Sequence, residues 1–231
     1  SGWRGSDRAA CACDPTPSDS AARPRWVARR RLINPGRFRQ ALGDGVAVAT
    51  AVTELTDVPV VVWMSQYDPE GAAMIWSARF ETMADIDDAF GRLMASDGYQ
   101  DQVEALDGLF EGQATDTLIE ILAGDLGDQG PAPFVSVIAA TAANGRQQEA
   151  VAWGVDITEK ASAALSLPVA FGVGVYGRYG SLGWITSYED AETIEDARGK
   201  MMADAVLQSA IDDGSGNVQD DATNILLGRL T

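Results

Sequence analysis

The chain says much the same thing twice, and that limits its fold more than any other feature. "GRFRQALGDGV" begins at Gly36 and "GRQQEAVAWGV" at Gly145. At an offset of 109, Gly36-Arg37 falls on Gly145-Arg146, Gly45-Val46 on Gly154-Val155, Pro59-Val60 on Pro168-Val169 and Tyr67 on Tyr176. One residue is lost in the next turn. At an offset of 108, Trp76 then falls on Trp184, Asp88-Ala89 on Asp196-Ala197, Met94-Ala95 on Met202-Ala203 and Ala114-Thr115 on Ala222-Thr223. A period this long denotes two tandem units rather than a solenoid. Each unit must then carry a complete set of elements.

Each copy reads in the same order. "WVARRRLI" and "FVSVIAATA" have the composition of opening strands, and a helical periodicity follows each. The helices stop ahead of Pro59 and Pro168, because the residue before proline avoids the helical region. Strands "VVVWMSQY" and "VAFGVGVY" come next, then turns "DPEG" and "GRYG", then strands "AAMIWSARF" and "SLGWITSY". A second helix carries Ile86, Phe90 and Leu93 in one copy and Ile194, Ala197 and Met201 in the other. "TDTLIEIL" and "TNILLGRL" close the copies as last strands. Gly45 and Gly154 lie inside the first helices at a cost of up to about 1 kcal/mol each relative to alanine, which points to close helix–sheet approach. The order is β-α-β-β-α-β, a split βαβ unit.

A four-stranded sheet with helices on one face must bury the other. The second copy supplies the cover, so the expected class is α+β, two ferredoxin-like units packed sheet to sheet. The boundaries read 1–25 as a disordered tail, 26–124 and 133–231 as the two units, and 125–132 as the linker. The tail is rich in Ser, Pro, Ala and Arg and has no periodicity. Its Cys11 and Cys13 are the only cysteines, two residues apart, a spacing that suits neither a zinc knuckle nor a disulfide framework.

Charge excludes whole classes of partner. Residues 1–40 hold nine of the 17 basic residues and three of the 34 acidic ones, which leaves a net −23 on the remaining 191 residues. Such a surface repels nucleic-acid phosphates and anionic membranes, so neither is an expected partner. Asp outnumbers Glu 23 to 11 and only Lys160 and Lys200 are lysines. This composition suits either adaptation to high salt or a GC-rich coding sequence. No window reaches the roughly 18 apolar residues of a membrane helix, and no apolar signal segment stands near Ser1, so a cytoplasmic location is expected.

Histidine is absent from the sequence. That removes the usual general base near neutral pH, the usual haem ligand and the commonest zinc ligand. "DDGSGNVQDD" lacks the EF-hand spacing, and "GVGVYG" does not open a helix as a dinucleotide fingerprint would. No cofactor and no metal are expected. The acid pairs Asp87-Asp88 and Glu195-Asp196 read as solvated helix surface.

Strand alternation assigns the faces. Val60, Val62 and Met64 should face helices, as should Val169, Phe171, Val173 and Val175. Val61, Trp63, Ser65 and Tyr67, with Ala170, Gly172, Gly174 and Tyr176, should line the space between the sheets. There one copy offers Trp63 where the other offers two glycines. Either Trp63 fills that gap, or the gap is a pocket flanked by Tyr67 and Tyr176, with Arg79 available to a ligand or to an acid. Trp76 and Trp184 read as core.

The order of elements, the "DPEG" turn, and the runs "RFETMADIDDAFGRLMASDGY" and "SYEDAETIEDARGKMMAD" resemble the dimeric α+β barrel superfamily over residues 26–231. Its members include antibiotic-biosynthesis-type monooxygenases that use no cofactor, NIPSNAP-like proteins, haem-handling enzymes and isomerases. The resemblance implies a small apolar or aromatic ligand between the sheets and further homo-oligomerisation. Members often carry a catalytic or haem-binding histidine on a helix. Phe90 and Arg198 stand near that place here, so no catalytic residue carries over. Two functions remain open: a small-molecule-binding or assembly module, and a monooxygenase or isomerase without cofactor acting on an aromatic or polyketide-like substrate.

Overall fold

The computed structural model describes residues 23–126 and 132–231. The expectations for the tail up to residue 22, with its two cysteines, and for linker positions 127–131 lie outside the described residues. The first half runs β1 (Arg25–Ile33), α1 (Phe38–Thr56), β2 (Val60–Tyr67), β3 (Ala73–Phe80), α2 (Met83–Met94), α3 (Asp97–Ala105) and β4 (Phe110–Gly124). The second runs β5 (Phe134–Thr141), α4 (Gln147–Leu165), β6 (Val169–Tyr176), β7 (Ser181–Tyr188), α5 (Ala191–Ala203), α6 (Ala205–Gly214) and β8 (Thr223–Arg229).

Local chemistry sets the helix ends. α1 and α4 both stop in a left-handed residue, Asp57 at φ 60° and Ser166 at φ 55°, two residues before a proline. Where the sequence suggests one second helix per half, the structure has two. Ser96 accepts a hydrogen bond from the Tyr99 amide and Asp204 one from the Leu207 amide, so each starts a fresh helix. Caps of this kind contribute about 0.5–2 kcal/mol, enough to define a helix of nine or ten residues. α2 opens with a full capping box between Thr82 and Asp85.

The eight strands form one closed barrel in the order β1-β3-β2-β8-β5-β7-β6-β4. Each half contributes a four-stranded antiparallel sheet whose edge strands join the other half's edges. β2 pairs with β8, placing Ser65 opposite Leu227, and β4 pairs with β6, placing Ile121 opposite Gly172. The sheets therefore meet edge to edge as well as face to face, and closure leaves no free strand edge. The ladders of the halves correspond residue for residue: Trp26 faces Arg79 as Val135 faces Ser187, and Arg29 faces Asp116 as Ile138 faces Asn224.

Helices cover the outside. Val62, Met64 and Met74 pack with Ala41, Val48 and Phe110 in one cluster. Phe171, Val169 and Trp184 pack with Ala150, Ile157 and Leu207 in the other. The alternation read from the sequence thus holds for Val60, Val62 and Met64 of β2 and for Val169, Phe171 and Val173 of β6, and fails at Val175, which is exposed near the end of β6. The helix glycines have the close-approach role expected of them. A Cβ on Gly154 would lie 2.8 Å from Phe171 Cε1, and one on Gly45 would lie 3.0 Å from Trp76 Cζ2. Both carbonyls accept from an indole, Gly45 O from Trp76 Nε1 at 2.9 Å and Gly154 O from Trp184 Nε1 at 3.2 Å, and Gly154 O also accepts from Thr158 Oγ1 at 2.8 Å. Phe90 departs from expectation. It points outward from α2, 58% exposed, and Ala89 takes the buried position.

Candidate functional site

A third apolar cluster lies inside the barrel and contains Trp63, Ala73, Ile75, Val135 and Leu227. It does not fill the interior. A cavity of about 1210 Å³ runs through the barrel, lined chiefly by apolar side chains at its waist and by charged and hydroxyl groups towards its ends. That volume exceeds a drug-sized pocket and has the usual composition of one, apolar walls with a few polar groups.

Three of the six candidate residues read from the sequence lie on this cavity: Trp63, Arg79 and Gly174. Trp63 is 5% exposed and donates from Nε1 to Ser77 Oγ at 2.8 Å, so its one polar atom is satisfied within the wall. Arg79 stands at the rim with Glu81 3.4 Å away.

The other three are elsewhere. Tyr67 and Tyr176 are 74% and 66% exposed and do not line the cavity. The cause is a break in alternation. The β2–β8 register shifts between Ser65 and Tyr67, and the β4–β6 register shifts between Leu118 and Ile119, opposite Tyr176 and Gly174. A bulge of this kind re-aims the residue beyond it. Gly172 is an inward position that is already filled, because a Cβ there would overlap Ile119 Cγ2 and approach Ile121 Cδ1 to 3.2 Å. The bulk that replaces its side chain comes from β4, across the β4–β6 seam, and not from Trp63.

The open position is Gly183 on β7. It lines the cavity, and a Cβ built on it meets no atom within 4 Å. Its neighbours across the ladders are Gly172 on β6 and Ala139 on β5. The second half therefore has a patch almost without side chains where β5, β6 and β7 lie side by side, flanked by Val137 and Ile185. The offset of 108 puts Gly183 on Ile75, which is 6% exposed in the interior cluster. That correspondence was the signal available in the sequence.

Charged groups cluster at the end nearest the β2–β3 and β6–β7 hairpins. Arg30 Nε and Nη2 donate to Asp68 Oδ2 at 3.2 and 2.7 Å, and its Nη1 donates to Glu70 Oε2 at 2.7 Å. Burial works against this guanidinium's charge, but the hydrogen bonds and charge of Asp68 and Glu70 outweigh it and leave the pKa raised. Asp221 accepts from the hydroxyl and amide of Thr141 at 2.7 and 3.1 Å and lies 2.9 Å from Arg178. The Thr141 hydroxyl is the main reason why its carboxyl titrates below the ordinary value, and Arg178 adds to it.

A shallower depression of about 540 Å³ lies between α4 and α6. Two of its polar groups are already used, Lys160 by Asp156 and Trp153 Nε1 by Ala210 O. Among the described residues, no three His, Cys, Asp or Glu side chains are grouped as a metal site requires. No helix of the described chain is long and apolar enough to cross a membrane.

Neither a family model nor a curated protein sequence matches the chain. Solved structures do. A chain described as a "putative monooxygenase" from Fusobacterium nucleatum subsp. nucleatum aligns with TM-score 0.68 at 10% identity, over 91% of this chain and 94% of its own. One described in the same words from Lactobacillus acidophilus aligns at 0.61 with 13% identity, over 90% and 95%. An anthrone oxidase-like protein aligns at 0.64 with 9% identity, over 92% and 93%. At such identities the likeness is one of fold, and it covers nearly the whole of each chain. With its two four-stranded sheets closed into a single barrel and its helices outside, this chain has the dimeric α+β barrel fold, both halves supplied by one polypeptide.

Proposed function

We propose that the chain is a small-molecule-binding module whose site is the barrel interior, and that its ligand is apolar, with a planar aromatic body the best match to the lining. The observation that carries this reading is Gly183, a buried strand position that opens onto free space. Protein interiors are normally packed to crystal density. A wall of Gly183 and Ala139 facing a cavity of about 1210 Å³ supports a ligand as the missing volume. Binding is favoured over catalysis because the charged side chains at the hairpin end are committed to one another, Arg30 to Asp68 and Glu70, and Arg178 to Asp221. A proton-transfer step there would first have to break an ion pair. The names of the similar structures keep oxygenation of an aromatic substrate as the second reading, and substrate-dependent oxygen uptake by the purified chain would establish it.

The test is Gly183→Ile, which copies Ile75 into the matching place. A panel of polycyclic aromatic compounds should raise the melting temperature of the wild type and leave that of the variant unchanged. Equal shifts for the two proteins would remove the cavity from consideration.

A further inference from the structure

The two ends of the cavity differ in what they can offer a ligand, and the hairpin end is the more specific. Its two arginines are already occupied. All three nitrogens of Arg30 donate to Asp68 or Glu70, and Arg178 is held by Asp221. With three carboxylates against two guanidinium groups, that end carries a surplus of negative charge, on a chain whose net charge is −17. An anionic ligand would have to displace a carboxylate to reach either arginine and would be repelled as it approached.

Hydroxyls, by contrast, stand unused. Ser181 Oγ is shielded from solvent and has no hydrogen-bond partner. It occupies the space that Gly174 leaves, where a Cβ would overlap it. Buried hydroxyls without partners are uncommon and call for an explanation. Ser181 also lines the cavity, and a serine hydroxyl has three staggered χ1 positions from which to meet a partner. Thr117 of β4 lines the same cavity, and its Oγ1 lies 3.8 Å from where a Cβ on Gly177 of the β6–β7 hairpin would stand. Ser181 and Gly183 are two residues apart on one strand, hence on one face and about 7 Å apart. That spacing matches the length of a fused-ring body with one polar substituent.

We infer that the cavity takes an uncharged molecule with a hydroxyl or carbonyl at one end, that end seated on Ser181 and Thr117 beneath the β6–β7 hairpin and the apolar body lying along the Gly183 wall. This rests on the binding reading above and adds a polarity, a direction and a charge requirement to it.

Three probes with one ring system separate the claims: pyrene, pyrenemethanol and pyrenecarboxylate, titrated by their own fluorescence. For the wild type, pyrenemethanol should bind about fivefold more tightly than pyrene, the worth of one hydrogen bond, and at least about tenfold more tightly than the carboxylate. Ser181→Ala and Thr117→Val should each reduce the advantage of the alcohol over pyrene while leaving pyrene affinity as it was. Their melting temperatures should match the wild type, since neither hydroxyl has a hydrogen-bond partner among the described residues. Binding of the carboxylate as tight as the alcohol, or an undiminished alcohol advantage in both variants, overturns the inference while the cavity reading stands. Failure of all three probes to bind the wild type, or pyrene binding untouched by Gly183→Ile, overturns the cavity reading and this inference together.

Discussion

The halves share their ladders and differ in what they turn inward. Where β2 presents Trp63, β6 presents Gly172; where β3 presents Ile75, β7 presents Gly183; where β1 presents Arg30, β5 presents Ala139. At this level of the barrel the first half brings large side chains to the interior and the second brings almost none, although Val135, Val137, Ile185, Ile225 and Leu227 of the second half fill the levels beside it. A barrel of two alike halves would either fill its centre from both sides or leave it open to both. Here both halves share the packing that holds the barrel together, and one level of the second half's wall is left vacant.

Removing the large side chain at this level should have the largest effect. Trp63→Ala takes a buried indole from the interior cluster and its hydrogen bond from Ser77, and should cost about 3–5 kcal/mol in a denaturant titration. A loss under about 1 kcal/mol would mean that Trp63 is not a packed member of the interior cluster. The helix glycines come next. Gly154→Ala drives a methyl into the ring of Phe171, which is fully buried and cannot swing away. Gly45→Ala meets mainly the flexible end of Met74. The first should cost about 1–3 kcal/mol as overpacking does, and the second less, because helix propensity returns up to about 1 kcal/mol. Equal costs would show that Phe171 yields as easily as Met74. Gly183→Ile fills space instead of contesting it, so stability should stay within about 1 kcal/mol of wild type or rise, as strand propensity favours the branched residue. A large destabilisation would mean that the wall of the second half is packed after all.

How far the sequence revealed this can be judged residue by residue. The strands of both halves and the faces of Val62, Met64, Phe171 and Trp63 follow from alternation, because a half-buried strand must separate its two sides. Tyr67 and Tyr176 do not, because the register shifts beside them depend on how one half seats against the other, and no local pattern records that. Gly172 and Gly183 look equally bare in the sequence. Only the closed barrel brings Ile119 of β4 over the first and nothing over the second. The helix breaks at Ser96 and Asp204 each rest on one cap hydrogen bond, to the Tyr99 and Leu207 amides, and the helical periodicity used to place the second helices does not record it. The site therefore escaped a reading based on single strands, since emptiness is a property of several strands together.

The smallest effect concerns charge on the outer face, and it can be tested by making one half resemble the other. In the first half, Arg29 meets Asp116 through two hydrogen bonds of 2.7 Å, and in the second the same register position holds Ile138 and Asn224. The Arg29 hydrogen bond is the main influence on the Asp116 carboxyl, followed by burial, which opposes it, and by the arginine's charge, so that the group titrates below its ordinary value of 3.8. A carboxylate whose pKa is depressed on folding contributes stability that is present in full above the unfolded value and disappears as pH falls through the folded one. Both side chains are about half exposed, so solvent screening holds the contribution to about 0.2–1 kcal/mol. Asp116→Asn should therefore lower the urea midpoint slightly at neutral pH and converge on the wild type as pH falls through the titration of the wild type's folded carboxyl. Arg29→Ile with Asp116→Asn, which installs the second half's pair, should recover the lost stability and show a shallower acid limb than the wild type. The remaining slope would then owe part of its size to Asp221, which its Thr141 hydrogen bond also holds below the ordinary carboxylate value. A deficit in Asp116→Asn that persists undiminished at low pH would mean that the Arg29 contact acts through packing and geometry, and that this difference between the halves is not one of charge.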